Sequence, residues 1–143
     1  MAKRILVVDD EPRVLAVLKK RLESVGYQVT TASDGIEGLA RAKSEKPDLV
    51  VLDLMLPKKD GFEVCWELQH DPACHQIPIL VLSARSLDGD IQRGIASGAS
   101  AYMMKPFDTA LLLERIAGLL DKADQEAAIR KGQEEASRPP SDQ

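Results

Sequence analysis

The chain has 143 residues, 44% of them hydrophobic and 29% charged, with a net charge of -4 and a pI near 5.2. That length suits one domain with a proper core and is short for two; no apolar run approaches the ~20 residues of a membrane span, and the acidic balance excludes a global basic field for holding a polyanion. The opening MAKRILVVDD sets its basic residues before a short apolar run, too little for a secretory signal, so a cytoplasmic location is expected, with no membrane contact and no direct nucleic-acid binding.

In chain order, ILVV (5–8) is an apolar, β-branched run too short for a helix and without alternation, which predicts a strand buried on both faces. PRVLAVLKKRLESVG follows as a helix, with Pro12 in its first turn, Val14, Leu15, Leu18 and Leu22 on one stripe, and Gly26 at its end. YQVTTA (27–32) is a more polar strand, as sheet edges tend to be. GIEGLARAKSE is a second helix with Asp34 as its N-cap and Pro47 closing it before the strand LVVL (49–52).

GFEVCWELQHD is a third helix, ended by Asp71 and Pro72, and ILVL (79–82) is the fourth strand. SLDGDIQRGIASG predicts a fourth helix, the loosest of the set because Gly89 and Gly94 each cost roughly 1 kcal/mol relative to Ala. AYMM (101–104) is a second edge strand, and FDTALLLERIAGLLDKAD a fifth helix with Leu112, Ile116, Leu119 and Ala123 along its inner face. Beyond residue 122 the pattern decays: the last helix is expected to extend to about Lys131, with Gly132 and the Pro139, Pro140 pair fraying the end. Residues 121–143 hold six acids and four bases, so they are no basic arm for DNA.

Strand and helix alternating five times predicts an α/β domain over residues 1–122, a doubly wound five-stranded parallel sheet with five helices, followed by a helical extension and disordered tail over 123–143. Right-handed crossovers and a central place for the three most apolar strands favour the order 2-1-3-4-5. Ligands of such sheets gather beyond the carboxyl ends of the central strands. There the sequence sets Asp9 and Asp10 after strand 1, Asp53 after strand 3, Ser83 after strand 4 and Lys105, then Pro106, after strand 5.

Two carboxylates about 4 Å apart repel by roughly 4 kcal/mol at an effective dielectric of 20, so a cluster of three calls for a divalent cation. Magnesium suits hard oxygen ligands and is commonly held by one or two carboxylates with phosphate oxygens and water. With Lys105 as a further positive charge, the pocket suits a phosphoryl group in transfer, and a carboxylate as its acceptor. Cys65, Cys74, His70 and His75 prompt a search for zinc, but C-x8-C matches no usual ligand spacing, and Cys65 and His70 would sit about 140° apart around a helix.

On VVDDEP, VLDLMLPKKDG, LVLSA and YMMKPF, spread over about residues 3–122, the chain resembles the receiver domains of two-component response regulators. The resemblance implies a flavodoxin-like fold and a phosphorylation-dependent switch, not a turnover enzyme. It implies Asp53 as phospho-acceptor, Asp10 as direct Mg2+ ligand, Asp9 as its partner directly or through water, and the backbone carbonyl of Met55 as a further ligand. Ser83 matches the hydroxyl that binds the phosphoryl group, Lys105 the lysine that pairs with it across a cis Lys105–Pro106 bond, and Tyr102 the aromatic that swings inward when Ser83 is drawn to the phosphoryl oxygens. The implied partners are a histidine kinase or phosphotransfer protein and an unknown downstream protein target reached through the face of the fourth helix, fifth strand and fifth helix, with a homodimer possible on that face.

Two departures qualify the resemblance. Arg115 stands at an arginine-like place of the dimer face, but the segment GASAY gives it no carboxylate from Ala99, Ser100 or Ala101. No output domain accompanies the receiver-like segment, which leaves a stand-alone receiver and a piece of a longer regulator both open. Alternative readings are a haloacid-dehalogenase-like phosphatase, which needs an Asp where Met55 stands, and a receiver-like module that binds partners without phosphorylation. A dinucleotide-binding domain is excluded by DDEP, which sets anions where a pyrophosphate would lie.

Overall fold

The computed structural model describes residues 2–84 and 98–137. It contains strands β1 (Arg4–Val8), β2 (Gln28–Ala32), β3 (Leu49–Leu52), β4 (Ile79–Ser83) and β5 (Ala101–Met104). Its helices are α1 (Pro12–Ser24), α2 (Gly35–Glu45), α3 (Gly61–Gln69) and a C-terminal helix (Thr109–Ser137). The strands form one parallel sheet in the order β2-β1-β3-β4-β5, as expected. Most of the predicted fourth helix falls on residues 85–97, outside the described residues.

Strand side chains alternate between the two faces with period two. Leu6, Val8, Val50, Leu52, Ile79 and Val81 meet Leu39 and Ala42 of α2 and Phe62, Val64 and Leu68 of α3 on one side. Ile5, Val7, Leu49, Val51, Leu80 and Leu82 meet Leu18 and Leu22 of α1 and Leu112, Ile116 and Leu120 of the C-terminal helix on the other. Both faces of the central strands are therefore dry, which is why their sequences show no polar alternation. Cys65 and Cys74 carry thiols buried in the first of these layers.

The register levels the carboxyl ends. Val8 lies opposite both Ala32 and Leu52, so the residues after β1 and β3 emerge side by side, and Ser83 lies opposite Met104 at the ends of β4 and β5. Gly61 lets the β3–α3 connection fold back tightly, since a Cβ there would overlap the carbonyl oxygen of Asp53.

Element ends show where local chemistry overrides the apolar pattern. Asp34 caps α2 by accepting from the Glu37 amide at 2.7 Å, as expected. β2 begins at Gln28 because the Tyr27 amide still donates to the Leu22 carbonyl of α1. α3 stops at Gln69, earlier than expected, and the C-terminal helix starts at Thr109 because Asp108 accepts from the amides of Ala110 and Leu111. That helix continues through Gly132 to Ser137 instead of fraying after Lys131: one glycine costs roughly 1 kcal/mol and is flanked by good helix formers. Leu120 takes a deep inward place, with Leu119 packed half-buried beside it. No described helix is long and apolar enough to cross a membrane.

Candidate functional site

Asp9 follows β1 directly, and its amide donates to the Ala32 carbonyl at 3.1 Å, so the chain keeps strand-like pairing for one residue past Val8. This holds the Asp9 side chain inside, 2% exposed, while Asp10 turns outward. The Glu11 amide closes the turn on Asp9 Oδ1 at 2.9 Å, and Pro12 then starts α1. Asp53 is placed in the same manner after β3: its amide donates to the Val8 carbonyl at 2.9 Å and its Oδ1 accepts from the Met55 amide at 3.1 Å. Its carboxylate too is buried, with the residue 5% exposed.

Lys105 reaches these acids from the far side of the sheet. Its amide donates to the Ser83 carbonyl at 2.8 Å, continuing the β4–β5 ladder, and the Lys105–Pro106 bond is cis, as the resemblance implies. Its Nζ lies 2.6 Å from Asp9 Oδ2, 3.1 Å from Asp53 Oδ2 and 3.3 Å from Glu11 Oε1. One ammonium thus serves three carboxylates, and Asp10 adds a fourth: Asp9, Asp10, Glu11 and Asp53 each present an oxygen within 4.8 Å of the others.

The balance of charge shows in the protonation equilibria. Burial pushes the Asp9 carboxyl above its ordinary value, against the hydrogen bonds from Lys105 and the Glu11 amide, and the neighbouring Asp53 charge pushes the same way. For Lys105, burial disfavours the charge, but the hydrogen bonds to Asp9 and Asp53 outweigh it and hold the ammonium above its ordinary value. The ammonium stays charged, and among the described residues negative charge remains in excess. A buried carboxylate left only partly compensated, amid hard oxygen donors, fits a small divalent cation.

Ser83 is fully buried at the end of β4, and Tyr102 is half-buried on β5, packed against the α2–α3 layer opposite Val81. Met55 is exposed in the turn after Asp53, beside Asp10 on a cleft of about 380 Å3 that also borders Leu56, Asp60 and Phe62. The structure therefore brings Asp9, Asp53 and Lys105 into contact, with Asp10 alongside. Ser83 is joined to the group through the backbone of Lys105. Tyr102 stands three residues away along β5. Glu11 was missed as a member, although it completes the acidic run DDE.

A family model described as "Response regulator receiver domain" matches residues 5–117. The chain belongs to the response regulator receiver family. This receiver domain is 46% identical over 124 residues to the alkaline phosphatase synthesis transcriptional regulatory protein PhoP of Bacillus subtilis, covering 87% of this chain and 51% of that protein. It is 46% identical over 121 residues to the DNA-binding dual master transcriptional regulator RpaA of Synechocystis, covering 85% of this chain and 50% of the relative. The receiver thus spans about half the length of these two curated relatives. Among solved structures, it superimposes on a CheY-like response regulator receiver domain protein from Methanospirillum hungatei with a TM-score of 0.84 at 32% identity, covering 88% of this chain and 99% of that one.

Proposed function

We propose that this receiver accepts a phosphoryl group on Asp53 from the phosphohistidine of a histidine kinase or phosphotransfer protein, and that the modified domain signals to a downstream protein. The observation that carries the reading is the buried Asp53 carboxylate, 3.1 Å from the ammonium of Lys105, which follows another strand. That pairing fixes the acceptor's orientation and supplies positive charge where the transferring group's oxygens arrive.

In the transfer, an Asp53 carboxylate oxygen attacks the phosphorus in line. The bond from phosphorus to the donor imidazole nitrogen breaks, its electron pair leaves with the imidazole, and Asp53 becomes a mixed anhydride. A bound Mg2+, held by Asp9, Asp10, Asp53 and the Met55 carbonyl, would supply the counter-charge for the phosphoryl oxygens. Lys105 Nζ exchanges its contact with the free carboxylate for one with a phosphoryl oxygen, and the Ser83 hydroxyl donates to another. Attack of water on the phosphorus later returns the carboxylate and releases phosphate. The domain catalyses only its own modification and its reversal.

Movement of Ser83 toward the phosphoryl oxygens opens room for Tyr102, and the face of β5 and the C-terminal helix carries the change to a target or to a second copy; the predicted fourth helix, expected to share in it, lies outside the described residues. We take residues 1–122 as the receiver unit, 123–143 as its extension, and the whole as a cytoplasmic chain without direct nucleic-acid contact. The deciding experiment incubates the protein with Mg2+ and a small acyl phosphate and follows intact mass. Gain of one phosphoryl group, lost on mild base and absent in Asp53→Asn, is expected; equal labelling of the variant overturns the assignment.

A further inference from the structure

A second concave site lies at the opposite edge of the sheet from the carboxylates. It is a cleft of about 580 Å3 between the C-terminal helix and the segment that connects α3 to β4. Its floor is Pro78, Ala99 and Ser100, just ahead of β4 and β5, with the Ser100 amide donating a hydrogen bond to the Ile79 carbonyl at 2.8 Å. One wall carries Gln69 and Gln76. Gln69 is laid across Gly98, whose φ is +100° and where any Cβ would overlap the Gln69 side chain.

The other wall is a stripe of the C-terminal helix: Leu119, Lys122, Ala123, Glu126 and Arg130. All five lie beyond residues 5–117, outside the segment that the family model matches; Leu119 and Lys122 close the receiver unit, and Ala123, Glu126 and Arg130 belong to the extension. On the N-terminal side the extension is pinned by the 2.6 Å ion pair between Lys3 and Asp124.

We propose that this cleft docks a short, extended, acidic segment of a partner protein. The wall from Leu119 to Arg130 runs roughly 16 Å at about 1.5 Å per residue, the reach of about five residues of extended peptide at about 3.3 Å each. Lys122 and Arg130 face one acid, Glu126, and so give the cleft a cationic balance in a chain of net charge -4. Among the described residues neither Lys122 nor Arg130 forms an ion pair, and Arg130 is half-buried. Such cations are matched by carboxylates, with arginine able to take one in bidentate fashion. The Gln69 and Gln76 amides offer both donors and acceptors to a peptide backbone. An open, largely polar trough does not suit a small apolar ligand, which needs enclosure. Because the cleft sits at the other end of the strands from Asp53, docking is independent of phosphorylation.

The test titrates the full chain with a hexapeptide of alternating Glu and Leu, and separately with its Lys and Leu counterpart, following backbone amide NMR shifts. Shifts with the acidic probe confined to residues 69–78, 98–100 and 119–130, unchanged in Asp53→Asn, are expected. Lys122→Glu with Arg130→Glu should weaken binding by at least about tenfold, as for loss of paired charges, while Glu126→Lys should strengthen it. Equal response to the basic probe, shifts scattered over the surface, or no effect of either variant overturns the proposal. Shifts of the same residues with protein concentration alone would show that a second copy fills the cleft, which also overturns it. None of these readouts requires phosphoryl transfer, so failure here leaves the phosphorylation reading standing, and the reverse.

Discussion

Replacing Asp10 by Asn should stabilise the protein when divalent cations are removed. The four acids present oxygens within 4.8 Å of one another, with a single ammonium among them in the described residues. At that separation a pair of carboxylates repels by about 3.5 kcal/mol at an effective dielectric of 20 and by about 0.9 kcal/mol at that of water. Asp10 is exposed, so the lower figure governs its pairs. Three such repulsions, partly offset by the pull of Lys105, leave about 1 to 2 kcal/mol to be relieved. For a chain of this size that is a rise in melting midpoint of about 3 to 6 °C. Urea and thermal unfolding in chelator, followed by circular dichroism, measure it directly. Excess Mg2+ should then stabilise the wild type more than the variant, because a ligand that binds only the native state adds RT ln(1 + [L]/Kd). Most substitutions destabilise, so a rise is a discriminating result. An unchanged or lower midpoint in chelator would refute the reasoning that negative charge is in excess.

Gly61→Ala drives a Cβ onto the Asp53 carbonyl and to 2.5 Å from Leu54 Cα; a loss of about 1 to 3 kcal/mol, as for overpacking, together with slowed phosphorylation is expected from urea unfolding and mass labelling. The Asp34 carboxyl is held below its ordinary 3.8, first by the Glu37 amide, with Lys58 adding to it. Its folded pKa being depressed, the stability it contributes is complete above the ordinary value and fades as pH falls through the folded one; wild type and Asp34→Ala should therefore differ in urea midpoint at neutral pH and converge in acid. Burial pushes the Cys65 thiol up to about 12, so a thiol reagent that reacts with the thiolate should leave Cys65 unmodified in native protein at neutral pH and modify it in denaturant; rapid native labelling would contradict the packing described.

How much of this was legible in advance varied with the kind of signal. The three central strands announced themselves because burial on two faces leaves no polar position in ILVV, LVVL or ILVL. The bounds of α2 were read correctly because Asp34 and Pro47 are chemical punctuation at each end. Asp9, Asp53 and Lys105 were read as neighbours because a parallel sheet delivers every strand's carboxyl end to one edge. Element ends without such punctuation were read less well. Tyr27 belongs to the closure of α1, and nothing in its side chain says so; the run through Gly132 reflects summed propensity of the neighbours, which outweighs one unfavourable residue. Glu11, part of the acidic run after the first strand, was not placed in the site because its partner, Lys105, is 94 residues away. Its membership depends on a lysine side chain long enough to span from the margin of the sheet to its middle.

That span has a mechanical meaning. Among the described residues β5 is hydrogen-bonded to a single neighbouring strand, β4, and is the outermost member of the sheet on its side. Asp9 and Asp53 stand at the tips of β1 and β3, interior strands paired on both sides. Whatever alters the attraction between those tips and the ammonium tugs, through one slender aliphatic stem, on the part of the framework with the fewest rungs holding it in place.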